Sequence, residues 1–117
     1  MASKLDKIES DYQKELIQKI YNLLPGLKYV EVLILKNDPN YLQGIPDLTV
    51  FYRNRFALLE VKASAKSKER PNQRYYIESW GEHVFTAFIY PENESEVLLA
   101  LQQSLAGGRE TCVPRCQ

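Results

Sequence analysis

The hydrophobic positions near the start of the chain recur at steps of three and four residues. The side chains that follow this spacing are Leu5, Ile8, Tyr12, Leu16, Ile20 and Leu23. Because such positions share one face of a helix, the spacing predicts an amphipathic helix over residues 5–24. The Pro25-Gly26 pair then ends the helix. Residues 28–35 alternate at first and finish as a continuous apolar run, which predicts the first strand.

Two further apolar runs, residues 48–52 and 56–61, are rich in β-branched, aromatic and aliphatic side chains. The polar break Arg53-Asn54-Arg55 separates them, and this arrangement predicts a β-hairpin. Residues 36–44, which precede the hairpin, are rich in Asn, Asp, Pro and Gly and predict a loop. We interpret that loop as a plain connection.

The second half of the chain predicts a helix, a strand and a final helix. Pro71 suits the first turn of the helix, and Gly81 suits its end. Gln73, Tyr76, Ile77 and Trp80 then fall on one helix face, with Ile77 and Trp80 expected in the core. Residues 83–90 predict the fourth strand and residues 94–105 the last helix. A strand, helix and strand over residues 56–90 predict a right-handed parallel crossover.

The predicted order of elements is α-β-β-β-α-β-α. It indicates an α/β fold with a central mixed β-sheet flanked by helices. A chain of 117 residues is the size of one domain. We expect this domain to cover residues 1–105 and residues 106–117 to form a disordered tail, which opens at Gly107-Gly108.

Three charged side chains interrupt the apolar hairpin: Asp47, Glu60 and Lys62. If Arg53 and Asn54 form the turn, Asp47 lies opposite Glu60. If Asn54 and Arg55 form it, Asp47 lies opposite Lys62. Since successive strand side chains point to opposite faces, either register brings all three to one face.

Two carboxylates that face each other repel unless a proton or a cation lies between them. Such a pair can hold a hard divalent cation through its oxygen atoms. A lysine beside the pair completes what metal-assisted phosphodiester hydrolysis requires. The alternative is a structural ion pair between Lys62 and one acid, which leaves the second acid without a role.

The residues Pro46-Asp47, followed after twelve residues by Glu60-Val61-Lys62, resemble the motif of the PD-(D/E)XK nuclease superfamily. The stretch from Gly44 to Leu48 resembles the glycine-x-proline-aspartate-leucine form of its VRR-NUC branch. The resemblance extends to Glu9 and Gln13 in the first helix and to Gln73 in the second. It implies a restriction-endonuclease-like core. The segment that follows Lys62 departs from the glycine-rich continuation of many members.

The resemblance implies a metal-dependent deoxyribonuclease. Asp47, Glu60 and the Val61 carbonyl would bind Mg²⁺, for which Mn²⁺ is expected to substitute. Lys62 would orient the attacking water and stabilise the negative charge that develops on phosphorus.

Two helical residues are implied as further members of the site. Glu9 would bind a second metal ion or a water molecule on the metal, and Gln73 would act as a supporting ligand. Asp11 and Glu15 have the same spacing as the Glu9–Gln13 pair and compete for the first of these roles.

The formal net charge is zero, whereas proteins that bind phosphates are usually basic. Residues 53–74 nevertheless carry seven cationic side chains against two acidic ones. We expect six of the seven to track the DNA backbone, and the seventh is the Lys62 ammonium. The six are Arg53, Arg55, Lys66, Lys68, Arg70 and Arg74.

Several classes of protein are excluded by the composition. No apolar run is long enough to span a membrane, and the N-terminus has no signal-peptide pattern, so we expect a cytoplasmic protein. Cys112 and Cys116 lack the partners for a zinc site. We expect no small-molecule cofactor and assign no role to His83, the single histidine.

The branch includes stand-alone phage-type enzymes of similar length, which resemble Holliday-junction resolvases and act as homodimers. The resemblance therefore implies a homodimer, encoded by a phage in a bacterial host, that cleaves four-way junctions in DNA recombination and repair. The alternatives are a nuclease for flaps or single strands, and a non-catalytic DNA-binding module on the same fold.

Overall fold

The first helix packs across one face of the sheet. The computed structural model describes residues 4–107, and its helix α1 covers Lys4–Leu23. Leu16 and Ile20, which lie one turn apart, are fully buried in the core together with Leu24. From Tyr12 to Ile20 the predicted apolar stripe therefore packs on the core, whereas Ile8 is 48% exposed.

Four strands form the sheet in the order β1-β2-β3-β4. Their bounds are Val32–Lys36, Leu48–Tyr52, Arg55–Val61 and Phe85–Ile89. The first three pair antiparallel, and β3 pairs parallel to β4. The predicted mixed sheet and the parallel pairing across the second helix are confirmed.

Four further helical segments complete the described part of the chain. Helix α2 covers Gln73–Trp80, and helix α3 covers Glu94–Gln102 after a short 3₁₀ turn at Pro91–Asn93. A π-helical turn at Gln103–Gly107 follows, and Ala106 packs against the core. Residues 106 and 107, which were predicted to open the tail, belong to this turn, and residues 108–117, with both cysteines, lie outside the described residues. Within residues 4–107, no helix is both long and apolar enough to cross a bilayer.

The two faces of the sheet differ in how they are covered. Val50, Leu59 and Val61 point to the face that α1 and α3 cover, and each is fully buried. The opposite face carries Glu60 and, on α2, Gln73 and Ile77, which are buried as well. Period-two alternation therefore places the apolar core on one side of β3 and the charged residues on the other.

Two element starts differ from the predictions. Residues 28–31 form a turn before β1, because Tyr29 adopts a φ of 70° and the N–H groups of Val30 and Glu31 bond to the Leu27 carbonyl. Helix α2 begins at Gln73 and not at Pro71, since Asn72 has a φ of 70° and breaks the helical path. Trp80, expected in the core, is 42% exposed at the end of α2.

The loop between β1 and β2 is more than the plain connection that the sequence predicted. Gly44, within this loop, has a φ of 87°, and its α-carbon lies directly against Pro71 and Asn72 at the start of α2. A β-carbon at position 44 would stand 2.5 Å from the Asn72 β-carbon. The glycine therefore lets the loop before Asp47 touch the turn before Gln73.

We expect Gly44→Ala to destabilise the fold by at least about 2 kcal/mol, because a positive φ and a backbone clash act together. Urea unfolding followed by circular dichroism measures this loss. Gly107→Ala is the matched control, since a β-carbon there meets its nearest neighbour at an ordinary 3.7 Å. Equal unfolding midpoints for Gly44→Ala and wild type would contradict the close approach.

Candidate active site

Asp47 and Glu60 lie opposite each other at the open end of the β2–β3 hairpin. Leu48 pairs with Leu59, so the next pair outward is Asp47 with Glu60. The Val61 N–H donates to Asp47 Oδ2 at 2.8 Å, which holds the first carboxylate against β3. The register with the turn at Arg53-Asn54 is confirmed, and the one that opposed Asp47 to Lys62 is wrong.

The Glu60 carboxyl group is almost wholly buried, with 2% of the residue exposed. Burial raises the pKa of Glu60 to about 9, and the neighbouring Asp47 carboxylate adds to the rise, while Lys62 opposes it. Without a cation, the Glu60 carboxyl group therefore keeps a proton in neutral solution.

Gln73 links the second acid to the lysine. Its Nε2 donates to Glu60 Oε2 at 2.8 Å, and its Oε1 accepts from Lys62 Nζ at 2.7 Å. The same Oε1 accepts from the Arg70 N–H at 2.6 Å. Because donors and acceptors differ at the two ends of the amide, these contacts fix its orientation and space Glu60 from Lys62.

Lys62 is buried, and its ammonium group is held by neutral oxygens. Besides Gln73, Nζ donates to the Lys68 carbonyl at 3.1 Å. The alternative of a simple ion pair expected a direct contact between Lys62 and an acid, whereas an amide bridges Lys62 and Glu60. An ammonium has three donors, and the described contacts of Lys62 use two of them.

Glu9 reaches the same site from helix α1. The residue is half-buried, and burial raises the pKa of its carboxyl group, while the charges of Lys62 and Arg70 lower it and that of Asp47 raises it. The competing acids Asp11 and Glu15 are exposed, and Asp11 pairs with Lys7 at 3.8 Å. The structure therefore brings Glu9 to the site, and not its competitors.

The donor set fits a hard cation held by two carboxylates. Among the described side chains, buried Glu60 Oε1 is the oxygen that lacks a hydrogen-bond partner, although it belongs to an acid beside a second acid. No three acidic, His or Cys side chains within residues 4–107 form a closed metal cluster. Mg²⁺ suits this arrangement, since it is usually held by one or two carboxylates together with water and phosphate oxygens.

Two of the six cations expected to contact DNA lie far from the acids. Arg53 pairs with Glu31 at 2.9 Å, and Arg55 donates to the Ser104 carbonyl at 2.9 Å. Both residues flank the hairpin turn, roughly 20 Å along the strand from Asp47 at about 3.4 Å per residue. The structure does not bring these two arginines to the site.

The other four cations lie near Lys62. Lys66, Lys68 and Arg70 are exposed on the loop that passes over the lysine. Arg74 pairs with Glu69 and stacks over the Phe88 ring at 5.0 Å. A polar cavity of about 140 Å³ lies between Lys62 and Arg74. Its lining includes Lys62, Ser64, Ser67, Arg74 and Tyr90.

An apolar groove of about 300 Å³ borders the other side of the site. Pro46, adjacent to Asp47, forms part of its wall, and the other walls come from the hairpin and from α2. The remaining lining residues are Leu42, Ile45, Thr49, Phe51, Phe56, Leu58, Tyr76 and Trp80. No charged side chain lines this groove, so it differs in kind from the polar cavity.

The sequence analysis did not identify Asn37, which contacts residues on both sides of Asp47. Asn37 follows β1, and its side chain donates to the Pro46 carbonyl and to Thr49 Oγ1, both at 2.9 Å. The signal was the strand alternation, since Asn37 shares the face of Leu33 and Leu35 and extends the β1–β2 ladder to Asp47.

One solved structure shares this architecture. It is described as a "VRR_NUC domain protein" and aligns with a TM-score of 0.54 over 82% of this chain and 89% of its own, at 18% identity. The chain has the same fold as that domain. The restriction-endonuclease-like core implied by the sequence is confirmed at the level of the fold. The sequence matches no protein-family model and no curated protein.

We expect Glu60→Gln to stabilise the protein in metal-free buffer at pH 8. A raised pKa means that the folded state binds a proton that the unfolded state has released, so this contribution is complete below about pH 4.5 and lost as pH rises through about 9. A neutral amide removes the loss, which is on the order of several kcal/mol at pH 8.

Thermal unfolding from pH 5 to 9 in the presence of a chelator measures this effect. The wild type should lose stability with rising pH more steeply than Glu60→Gln, and Asp47→Asn should flatten the profile as well. If Asp47 instead formed a structural ion pair with Lys62, Asp47→Asn would be less stable than wild type at every pH from 5 to 9.

Proposed function

We propose that this protein is a nuclease that hydrolyses DNA phosphodiester bonds with the help of a divalent metal ion. The observation that carries the proposal is the buried Glu60 carboxyl group with an unpartnered oxygen, set against Asp47 and linked through Gln73 to Lys62. Two carboxyl groups this close need a proton or a cation between them, and a bound cation gives both acids a function.

Asp47, Glu60 and the Val61 carbonyl would hold Mg²⁺ or Mn²⁺. The ion would supply Lewis-acid polarisation of the scissile phosphate. Gln73 keeps the Glu60 carboxylate turned away from Lys62, so the acid stays available as a ligand. Lys62 offers its remaining N–H to the attacking water or to a phosphate oxygen, where its charge favours the transition state.

Glu9 would contribute at the edge of the site. Among the described residues no three acids form a closed cluster, and we propose that Glu9 contacts water in the site or a second metal ion. This role also agrees with its partial exposure, since a carboxylate that meets solvent can accept a proton and release it.

DNA is the substrate that the surroundings favour. The exposed cations Lys66, Lys68 and Arg70 and the polar cavity beside Lys62 offer donors for phosphates. The VRR_NUC fold of the solved neighbour supports the same class of activity. Within that class, we propose selectivity for branched DNA, with four-way junctions first and flaps or single strands second.

Cleavage of a labelled four-way junction in Mg²⁺ tests the activity. Wild type should cut, and Glu60→Ala and Lys62→Met should lose at least about a hundredfold in rate, as expected when a metal ligand or a charge-stabilising group is removed. Glu96→Ala, on the exposed first turn of α3, is the matched control and should retain full activity.

A panel of substrates separates the alternatives. Paired symmetric nicks in the junction support a junction resolvase, whereas faster cutting of a flap or single strand supports a repair nuclease. Junction binding with no cleavage in Mg²⁺ or Mn²⁺ would replace the enzyme by a non-catalytic DNA-binding module.

A junction has two strands to cut, which suits an enzyme with two active sites. We further propose that two copies associate through the face of the sheet opposite α1 and α3. Leu33, Leu35 and Phe51 are exposed on neighbouring positions of this face, and the apolar groove with Trp80 continues it. Contiguous exposed apolar surfaces often mark protein–protein interfaces. The absence of charge from the groove argues against phosphate as its occupant.

Leu35→Lys is expected to shift the protein to the monomer in sedimentation equilibrium. Leu99→Lys, at a comparably exposed leucine on α3, is expected to leave association unchanged. Trp80 is the single tryptophan, so its emission should shift to shorter wavelength as wild-type protein is concentrated. A wild-type monomer at every concentration would contradict this interface.

A further inference from the structure

Asn37 forms hydrogen bonds to Asp47 and to residues on both sides of it. Its own N–H donates to the Asp47 carbonyl at 2.8 Å, and its side-chain Nδ2 donates to the Pro46 carbonyl and to Thr49 Oγ1. The three bonds end on the residue before Asp47, on Asp47 itself and on the residue two positions later. We infer that Asn37 is a positioning residue for the Asp47 carboxylate, an inference that rests on the proposed function.

Asp47 needs such support because of its place in the chain. It lies one residue before β2, directly after the loop, and the regular β1–β2 pairs end at Lys36 and Leu48. Beyond that pair, the Asn37 N–H provides the last backbone bond of the ladder. The Pro46 nitrogen has no hydrogen to donate, so its carbonyl is the one backbone hydrogen-bonding group that Pro46 has, and Asn37 holds it.

The position of the Asp47 side chain follows from this anchor. With its backbone held, Asp47 Oδ2 accepts from the Val61 N–H and its carboxylate stays beside Glu60. Release of the Pro46 carbonyl would let the Pro46–Asp47 peptide rotate and would spread the Asp47 carboxylate over several positions. Residues that orient a metal ligand in this way typically affect metal affinity by about ten- to a hundredfold when removed.

The test compares Asn37→Ala with Asn40→Ala, an exposed asparagine of the same loop. The Asn37 side chain donates to two acceptors, and Thr49→Val removes one of them while the Pro46 carbonyl stays in place. Two readouts are measured: Mn²⁺ affinity without DNA, by electron paramagnetic resonance, and cleavage rate as a function of Mg²⁺ concentration.

Asn37→Ala is expected to weaken Mn²⁺ binding and to raise the half-saturating Mg²⁺ concentration by about tenfold. Its rate at saturating Mg²⁺ should stay close to wild type, because the ligands and Lys62 are intact. Thr49→Val should show a smaller shift in the same direction, and Asn40→Ala none. A variant that loses stability but keeps the wild-type Mg²⁺ dependence would overturn the inference.

A readout without metal separates this inference from the proposed function. The amide proton of Val61 reports on its bond to the Asp47 carboxylate, by chemical shift and by hydrogen exchange. Asn37→Ala should move this signal toward that of Asp47→Ala and speed exchange at Val61. If wild type neither binds metal nor cuts DNA, the nuclease proposal fails. An unchanged Val61 amide in Asn37→Ala refutes the positioning role in either case.

Discussion

The contact of two carboxyl groups at the open end of the hairpin is the constraint on which the rest of the site depends. Burial and the charge of Asp47 together keep Glu60 from ionising freely. Around this pair, the chain places a backbone N–H on one acid and an amide on the other. Neither contact supplies a positive charge, so Glu60 keeps a proton that offsets the repulsion by Asp47, and a bound cation would take the place of that proton.

The amide of Gln73 explains why the acids and the lysine do not neutralise one another. A direct ion pair would satisfy Lys62 and Glu60 and would leave no function for the second acid. With an amide between them, the lysine keeps its charge and the acid keeps an oxygen free of partners. Gln73 is the first residue of helix α2, and Gly44 packs against Pro71 and Asn72 directly before that helix. Fold and site are thus coupled through a single turn.

Much of this could be predicted from the sequence, because period-two alternation and the hairpin turn fix which side chains share a face. Asp47, Glu60 and Lys62 followed from that rule alone, and the fold followed from the order of the elements. The rest depended on backbone conformation. The left-handed Tyr29 and Asn72 delayed β1 and α2, and no hydrophobic pattern signals such residues. The charge of residues 53–74 did not show that Arg53 and Arg55 lie far from the acids, because a charge count ignores distance along a strand.

The acid pair belongs to residues that are joined by a tight turn, and this locality has a consequence for folding. Closing a short hairpin costs little chain entropy, so the pair meets as soon as β2 and β3 associate, before the distant helix α1 needs to dock. The repulsion between the ionised Asp47 and Glu60 carboxylates is therefore present in every partly folded chain that contains the hairpin. A cation in solution would then speed the assembly of this protein as well as serve its chemistry, and the order in which the chain folds would depend on the ions around it.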